Sequence, residues 1–221
     1  MINLESPTKT EVIYPDSDGK PMSDNTKQFY WITLIYHNLA SLFATDNNVF
    51  IGGDLLWYAV EGNNKIRQAP NVMVVFGVAK GHRGSYMQWK EGNIAPQVVF
   101  EILSPGNTLA EMSKKQDFYN IYGVEEYYLY DPDKNDLTGW VRIENNLRVI
   151  EEMNNWVSPR LGIRFDLSGE ELQIYHPNGN VFYDPSVANQ QLEIALERAI
   201  LAEKEANKLA EKLRSLGIDP E

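Results

Sequence analysis

Glu101 stands inside an otherwise apolar run, Val98, Val99, Phe100, Ile102 and Leu103. A run this short and continuous reads as a strand covered on both faces, because a strand with one wet face alternates. A carboxylate inside such a strand is costly unless a cation, a metal or hydrogen-bond donors meet it. The fold must therefore bring a partner to Glu101 or end the strand near solvent, and the sequence leaves both readings open. A second continuous run, residues 72–78, predicts a neighbouring central strand.

The segments around these runs set the fold class. Ser23 or Asp24 can cap a helix over residues 24–44 whose apolar stripe is Trp31, Leu34, Ile35, Leu39 and Leu42. Residues 48–60 read as one strand, bulged at Gly52-Gly53 and ended by Glu61-Gly62-Asn63-Asn64. After Ser104-Pro105-Gly106-Asn107 a helix is predicted over 108–122, with Leu109, Met112, Phe118 and Tyr122 as packing positions and Gly123 at its C-terminal end. Residues 124–130 read as a further strand. A helix between two buried strands is a crossover, which defines an α/β protein with a central mixed sheet flanked by helices.

Beyond Asp136 the pattern changes to short alternating pieces at 137–143, 147–151, 163–167 and 172–175, expected to form added antiparallel hairpins. From Val187 onward one long helix is predicted. Leu192, Ala195, Ala199, Ala202, Ala206, Leu209, Leu213 and Leu216 recur at alternating spacings of 3 and 4 residues, the seam of a coiled-coil-like helix. Residues 1–185 are therefore expected to be one domain and 186–221 a helical tail that pairs in a homodimer or folds back on its own domain.

Composition removes several kinds of chemistry. The 221 residues contain no cysteine and 3 histidines, which excludes disulfide frameworks, thiolate zinc sites, iron–sulfur ligation and cysteine nucleophiles. Carboxylates, lysines and hydroxyls remain, and they suit a hard oxygen-seeking ion such as Mg²⁺ or Mn²⁺. A formal charge of −11 excludes a uniformly basic nucleic-acid binder, so contact with nucleic acid needs a local basic patch. The patch available is the loop carrying Lys80, Arg83 and Lys90, interleaved with His82, Tyr86 and Trp89. Its cations suit phosphates and its aromatics suit stacking, and the competing reading is a surface loop packed by its own rings. No apolar run is long enough to cross a bilayer and the start is polar, which predicts a cytoplasmic protein away from membranes.

Glu111, Lys115 and Tyr119 fall at i, i+4 and i+8 and share one face of the second helix. By themselves they read as a solvated face with one salt bridge. His37 reads as an ordinary helix residue, and His176, before Pro177, as a turn residue without a partner.

The ordered set of segments resembles the PD-(D/E)XK nuclease superfamily, and more narrowly the restriction-endonuclease-like family of unassigned biological role that is expanded in cyanobacteria. The matching pieces are Y-P-D-S-D-G-K-P-M, G-G-D-L-L-W-Y, A-P-N-V-M-V-V-F-G-V, V-F-E-I-L-S-P, the E-x-x-x-K-x-x-x-Y helix and G-V-E-E-Y-Y-L-Y-D-P, spread over residues 14–167. The resemblance implies a restriction-endonuclease-like fold and a Mg²⁺- or Mn²⁺-dependent phosphodiesterase, a DNA endonuclease. It makes Glu101 a metal-binding carboxylate. Leu103 occupies the usual place of the superfamily lysine, so the resemblance assigns that role to Lys115 on the following helix, with Lys114 as a substitute. Where the family carries aspartate after proline this chain has Asn71, whose amide lacks the negative charge that favours Mg²⁺. Asp54 is the candidate replacement if its strand lies beside that of Asn71. The alternative is a catalytically inactive nuclease fold that serves as a binding or assembly module. A two-fold dimer would bring two such centres together, as cutting both strands of a duplex requires.

Overall fold

The computed structural model describes residues 12–19 and 21–215, and the chain divides into two compact units between Phe182 and Tyr183. Lys20 of the first motif and Leu216 of the seam lie outside the described residues. In the larger unit a six-stranded sheet runs in the order β1 (Val49–Gly53), β4 (Val72–Phe76), β6 (Val98–Ile102), β7 (Glu126–Asp131), β8 (Asp136–Ile143), β9 (Asn146–Val149). β6 and β7 are parallel and the other neighbours antiparallel, so the sheet is mixed, as expected. α2 (Leu109–Ile121) provides the crossover between the parallel pair.

The two faces have separate cores. One is covered by α1 (Thr26–Leu42), whose Trp31, Ile35 and Leu39 pack with Val72, Val74, Val98 and Phe100 of the sheet. The hairpin of β10 (Arg164–Asp166) and β11 (Gln173–Tyr175) adds Phe165 and Ile174 to this core. The other face, with Met73, Val75, Val99 and Tyr127, is covered by Phe118 and Tyr119 of α2 and by a small sheet. That sheet consists of β3 (Arg67–Gln68), β2 (Trp57–Tyr58) and β5 (Tyr86–Met87), and a 3₁₀ turn, Gln88–Lys90, follows it. Trp57 is fully buried, meets Phe118 edge-on at 5.0 Å and donates its indole N–H to Gln88 at 3.0 Å.

Four local expectations need correction, the first at the start of α1, where the N-cap is Asn25, its side chain accepting from the Gln28 amide at 2.8 Å, and not Ser23 or Asp24. Residues 48–60 are two strands in different sheets, and the break is Asp54, whose φ of 45° is the left-handed region that ends β1. The Gly52-Gly53 pair is unbulged, in regular register with Met73 and Val72. The packing there is close: a Cβ at Gly52 would lie 2.7 Å from the Met73 methyl carbon, so a larger residue requires that side chain to shift. On α2, Leu109 is 89% exposed and Phe118 and Tyr119 are the buried positions. The helix ends as anticipated at Gly123, φ 90°, and the Val124 amide reaches back to the Tyr119 carbonyl at 3.0 Å.

The smaller unit holds α3 (Pro185–Ser215). Ile194, Leu196, Ile200, Leu201 and Leu209 are exposed on it. No helix among the described residues is long and apolar enough to cross a membrane.

Candidate active site

All five residues of β6 are buried, and Glu101 is 2% exposed. Alternation puts its side chain on the face covered by α2. There Lys115 donates from Nζ to both carboxylate oxygens, 2.8 Å to each, and the Tyr119 hydroxyl donates to Oε1 at 2.5 Å. Lys115 and Tyr119 are one helical turn apart, so a single rotational setting of α2 delivers both. That setting is held from two ends. At the N-terminus Thr108 and Glu111 form a reciprocal capping box, the Thr108 side chain accepting from the Glu111 amide and the Glu111 carboxylate from the Thr108 amide. Toward the C-terminus Tyr119 is fully buried against Trp57, Phe118 and Tyr127. The face that reads as solvated in sequence is thus the one that meets the sheet, because Glu101 draws its polar residues inward.

Two further residues fall into line with Glu101. Val72 pairs with Phe100 and Gly53 with Val72, so Asn71 stands level with Glu101 and Asp54 level with Asn71, across three adjacent strands. The Asp54 amide bonds the Asn71 carbonyl at 3.1 Å, the pairing on which the replacement reading depends. Asn71 is buried, and its side-chain oxygen accepts from the Ile102 amide at 2.7 Å. That oxygen is therefore already engaged by the backbone. Asp54 is half-buried, and its carboxyl is pushed from 3.8 up to about 6. Burial is the largest cause and the charges of Asp18 and Glu101 add to it, while Lys115 opposes them.

The row opens into a cleft of about 580 Å³, whose rim includes Asp24, Glu111 and Lys114. One rim is pinned by polar contacts that sequence reading passes over. Gln28, a buried polar residue on α1, donates to the Ile102 carbonyl at 2.8 Å. Ser104 donates to Asp24, and its amide donates to the Asn107 side chain at 2.9 Å. The available signal was a glutamine beside an apolar stripe and an S-P-G-N turn directly after the Glu101 strand.

The donors around the row are all oxygen, which suits a hard divalent cation. Glu101 and Asp54 supply two carboxylates, the number by which Mg²⁺ is commonly held beside substrate phosphates. Among the described residues no three His, Cys, Asp or Glu side chains converge as a metal group, and the middle position of the row is held by the uncharged amide of Asn71. Lys115 balances Glu101 in this arrangement.

The loop cations are placed differently. Lys80 donates to the Phe43 and Ala44 carbonyls at 2.6 and 2.7 Å, just past the end of α1. Arg83 forms an ion pair with Glu91 at 2.6 Å and lies 4.2 Å from the centre of the Phe50 ring. Lys90 is exposed. Tyr86 is fully buried and Trp89 packs on Tyr14, with ring centres 4.9 Å apart. His176 does have a partner, Asn38, 3.1 Å from its Nε2, and burial lowers its pKa. A second buried carboxylate, Glu126, faces the opposite side of the sheet and accepts from Ser158, Tyr128 and the Arg160 amide. Burial pushes its pKa up against these donors, and the cluster ties the 158–161 turn to β7.

With this geometry in place, comparison with known proteins identifies the family. Residues 19–169 match the Uma2 family model, described as "Putative restriction endonuclease", and the chain belongs to that family. A solved structure titled as a putative nuclease belonging to DUF820, from Anabaena variabilis ATCC 29413, is 19% identical. The match covers 63% of this chain and 74% of that one, with a TM-score of 0.46. No curated protein matches the chain.

Proposed function

We propose that the protein is a phosphodiesterase acting on nucleic acid, a DNA endonuclease, with Mg²⁺ or Mn²⁺ held by Glu101 and Asp54 and the Asn71 amide between them. The observation that carries this reading is the Asp54, Asn71, Glu101 row with Lys115 reaching into it from α2. A divalent ion bound there would polarise a scissile phosphate and lower the pKa of a water near it. Lys115 stands beside the reacting position, where its ammonium stabilises the charge that builds on a pentavalent phosphorus. Asp54, with a pKa of about 6, is ionised at neutral pH and supplies the charge that Asn71 does not. Lys90 is exposed and can meet a phosphate backbone, and Lys80 and Arg83 would have to exchange internal partners to join it. The reading is tested by nicking of supercoiled plasmid in Mg²⁺ or Mn²⁺ by the native chain, Glu101→Ala and Lys115→Ala. Cleavage by the native chain and by neither variant is the expected outcome.

The engaged oxygen of Asn71 and the closed Lys115–Glu101 pair favour a second reading, a nuclease fold retained as a binding or assembly module. Cleavage gained by Asn71→Asp, with none in the native chain, supports that reading. In either case residues 1–185 would carry the site and residues 186–221 would assemble it. We infer a homodimer through α3, on the seam spacing and on Arg198 and Glu203, which flank the seam where a parallel pair of helices would bring them together.

A further inference from the structure

The geometry points to Tyr119 as the residue that positions the Glu101 carboxylate, holding Oε1 so that Oε2 is the oxygen offered to a cation. Both oxygens take a hydrogen bond from Lys115, but only Oε1 takes a second one, from the Tyr119 hydroxyl. The lysine is a long flexible chain, 22% exposed at its side chain, and its ammonium is free to exchange partners when a competing cation arrives. The phenol is fully buried and wedged between Trp57, Phe118 and Tyr127, so its oxygen is fixed in space. A divalent cation entering the cleft therefore displaces Lys115 from Oε2 while Tyr119 keeps Oε1.

A neighbouring phenol provides an internal control. Tyr127 is buried on the same face and 5.1 Å from Tyr119 between ring centres, yet its hydroxyl has no hydrogen-bond partner among the described residues. Removing that oxygen takes the same atom out of the same core without breaking a hydrogen bond to the carboxylate.

The inference rests on the metal reading above, and the test separates the two. The carboxyl carbon resonance of Glu101, identified by its loss in Glu101→Gln, is recorded at pH 7 in the full native chain, Tyr119→Phe and Tyr127→Phe. A displaced resonance in Tyr119→Phe and a native one in Tyr127→Phe are expected. A resonance unmoved in Tyr119→Phe, or moved equally in both, overturns the positioning role. Mn²⁺ is then titrated into the same samples. Broadening of the resonance in the native chain, with affinity at least five-fold weaker in Tyr119→Phe, is expected, and equal affinity overturns the inference. Absence of broadening in the native chain contradicts the metal reading, and the displacement alone then decides the role of Tyr119.

Discussion

Lys115 and Glu101 meet across the gap between α2 and β6, the ammonium donating 2.8 Å to each oxygen of a carboxylate that is 2% exposed. A buried pair of this kind is expensive to halve, because the remaining charge has no water to turn to. Lys115→Ala is expected to lose about 3 kcal/mol of stability, at the lower end for a broken buried pair because the lysine is partly exposed. Lys115→Ala combined with Glu101→Gln recovers much of that loss, since a neutral amide still accepts from Tyr119. Chemical denaturation of the two variants against the native chain measures both effects, and equal stability of the single and double variants contradicts them.

Asn71→Asp keeps the hydrogen bond from the Ile102 amide with one oxygen and offers the other, charged, to the row. Divalent-ion affinity is expected to rise by about tenfold, equivalent to roughly 1.4 kcal/mol. In the absence of metal the same substitution places a third carboxylate beside Asp54 and Glu101 and lowers thermal stability. Adding Mn²⁺ should recover that stability in the variant more than in the native chain, which a pair of melting curves reads directly.

Asp54 makes the site sensitive to pH. Its pKa is raised in the fold, from 3.8 to about 6, so the folded state holds a proton over that interval that the unfolded chain has released. Its contribution to stability is fully present below about 4 and declines as pH rises to about 6. Asp54→Asn removes the dependence, and its stability relative to the native chain should improve between pH 4 and pH 7. Metal affinity in the native chain should climb through the same interval as the carboxyl ionises, and a flat affinity profile from pH 5 to 7 contradicts the assignment of Asp54 as a ligand.

Trp57 supports the second core from beneath α2, with no exposure to solvent. Trp57→Ala should cost about 3–5 kcal/mol through the cavity it leaves. Because Tyr119 stacks on the same ring, the substitution should also weaken metal binding. Trp57→Phe, which keeps most of the ring volume and gives up the bond to Gln88, should fall between Trp57→Ala and the native chain in both measurements.

The exposed apolar residues of α3 predict concentration-dependent association. Sedimentation of the native chain should report a dimer, and Leu209→Glu should shift it toward monomer. A native chain that sediments as a monomer at all concentrations contradicts pairing through the tail.

Much of the sheet was legible because buried strands carry a simple signal. The runs at 72–78 and 98–103 became β4 and β6, and the crossover helix between β6 and β7 followed from the order of elements alone. Glu101 was legible as a residue needing a partner, but not which partner. Periodicity places Lys115 and Tyr119 on one face without saying whether that face is wet, and the answer lies in a carboxylate distant in the chain. For the same reason the spacing of Leu109 and Met112 suggests a core they do not join: the buried positions of α2 are Phe118 and Tyr119, and Lys115 reaches Glu101 from the turn before them. Residues 48–60 read as one strand because composition does not show the left-handed turn at Asp54 that divides them. The aromatics near Lys80, Arg83 and Lys90 leave both stacking and packing open in the sequence, with packing the slightly favoured reading, and the burial of Tyr86 belongs to tertiary structure.

The central claim is that Asp54, Asn71 and Glu101 form one cation site. Calorimetric titration of Mn²⁺ into the native chain, Glu101→Ala and Asn71→Asp tests it most directly. The account predicts binding by the native chain, loss of it in Glu101→Ala and tighter binding in Asn71→Asp. Binding that survives Glu101→Ala, or that is absent from both the native chain and Asn71→Asp, contradicts it.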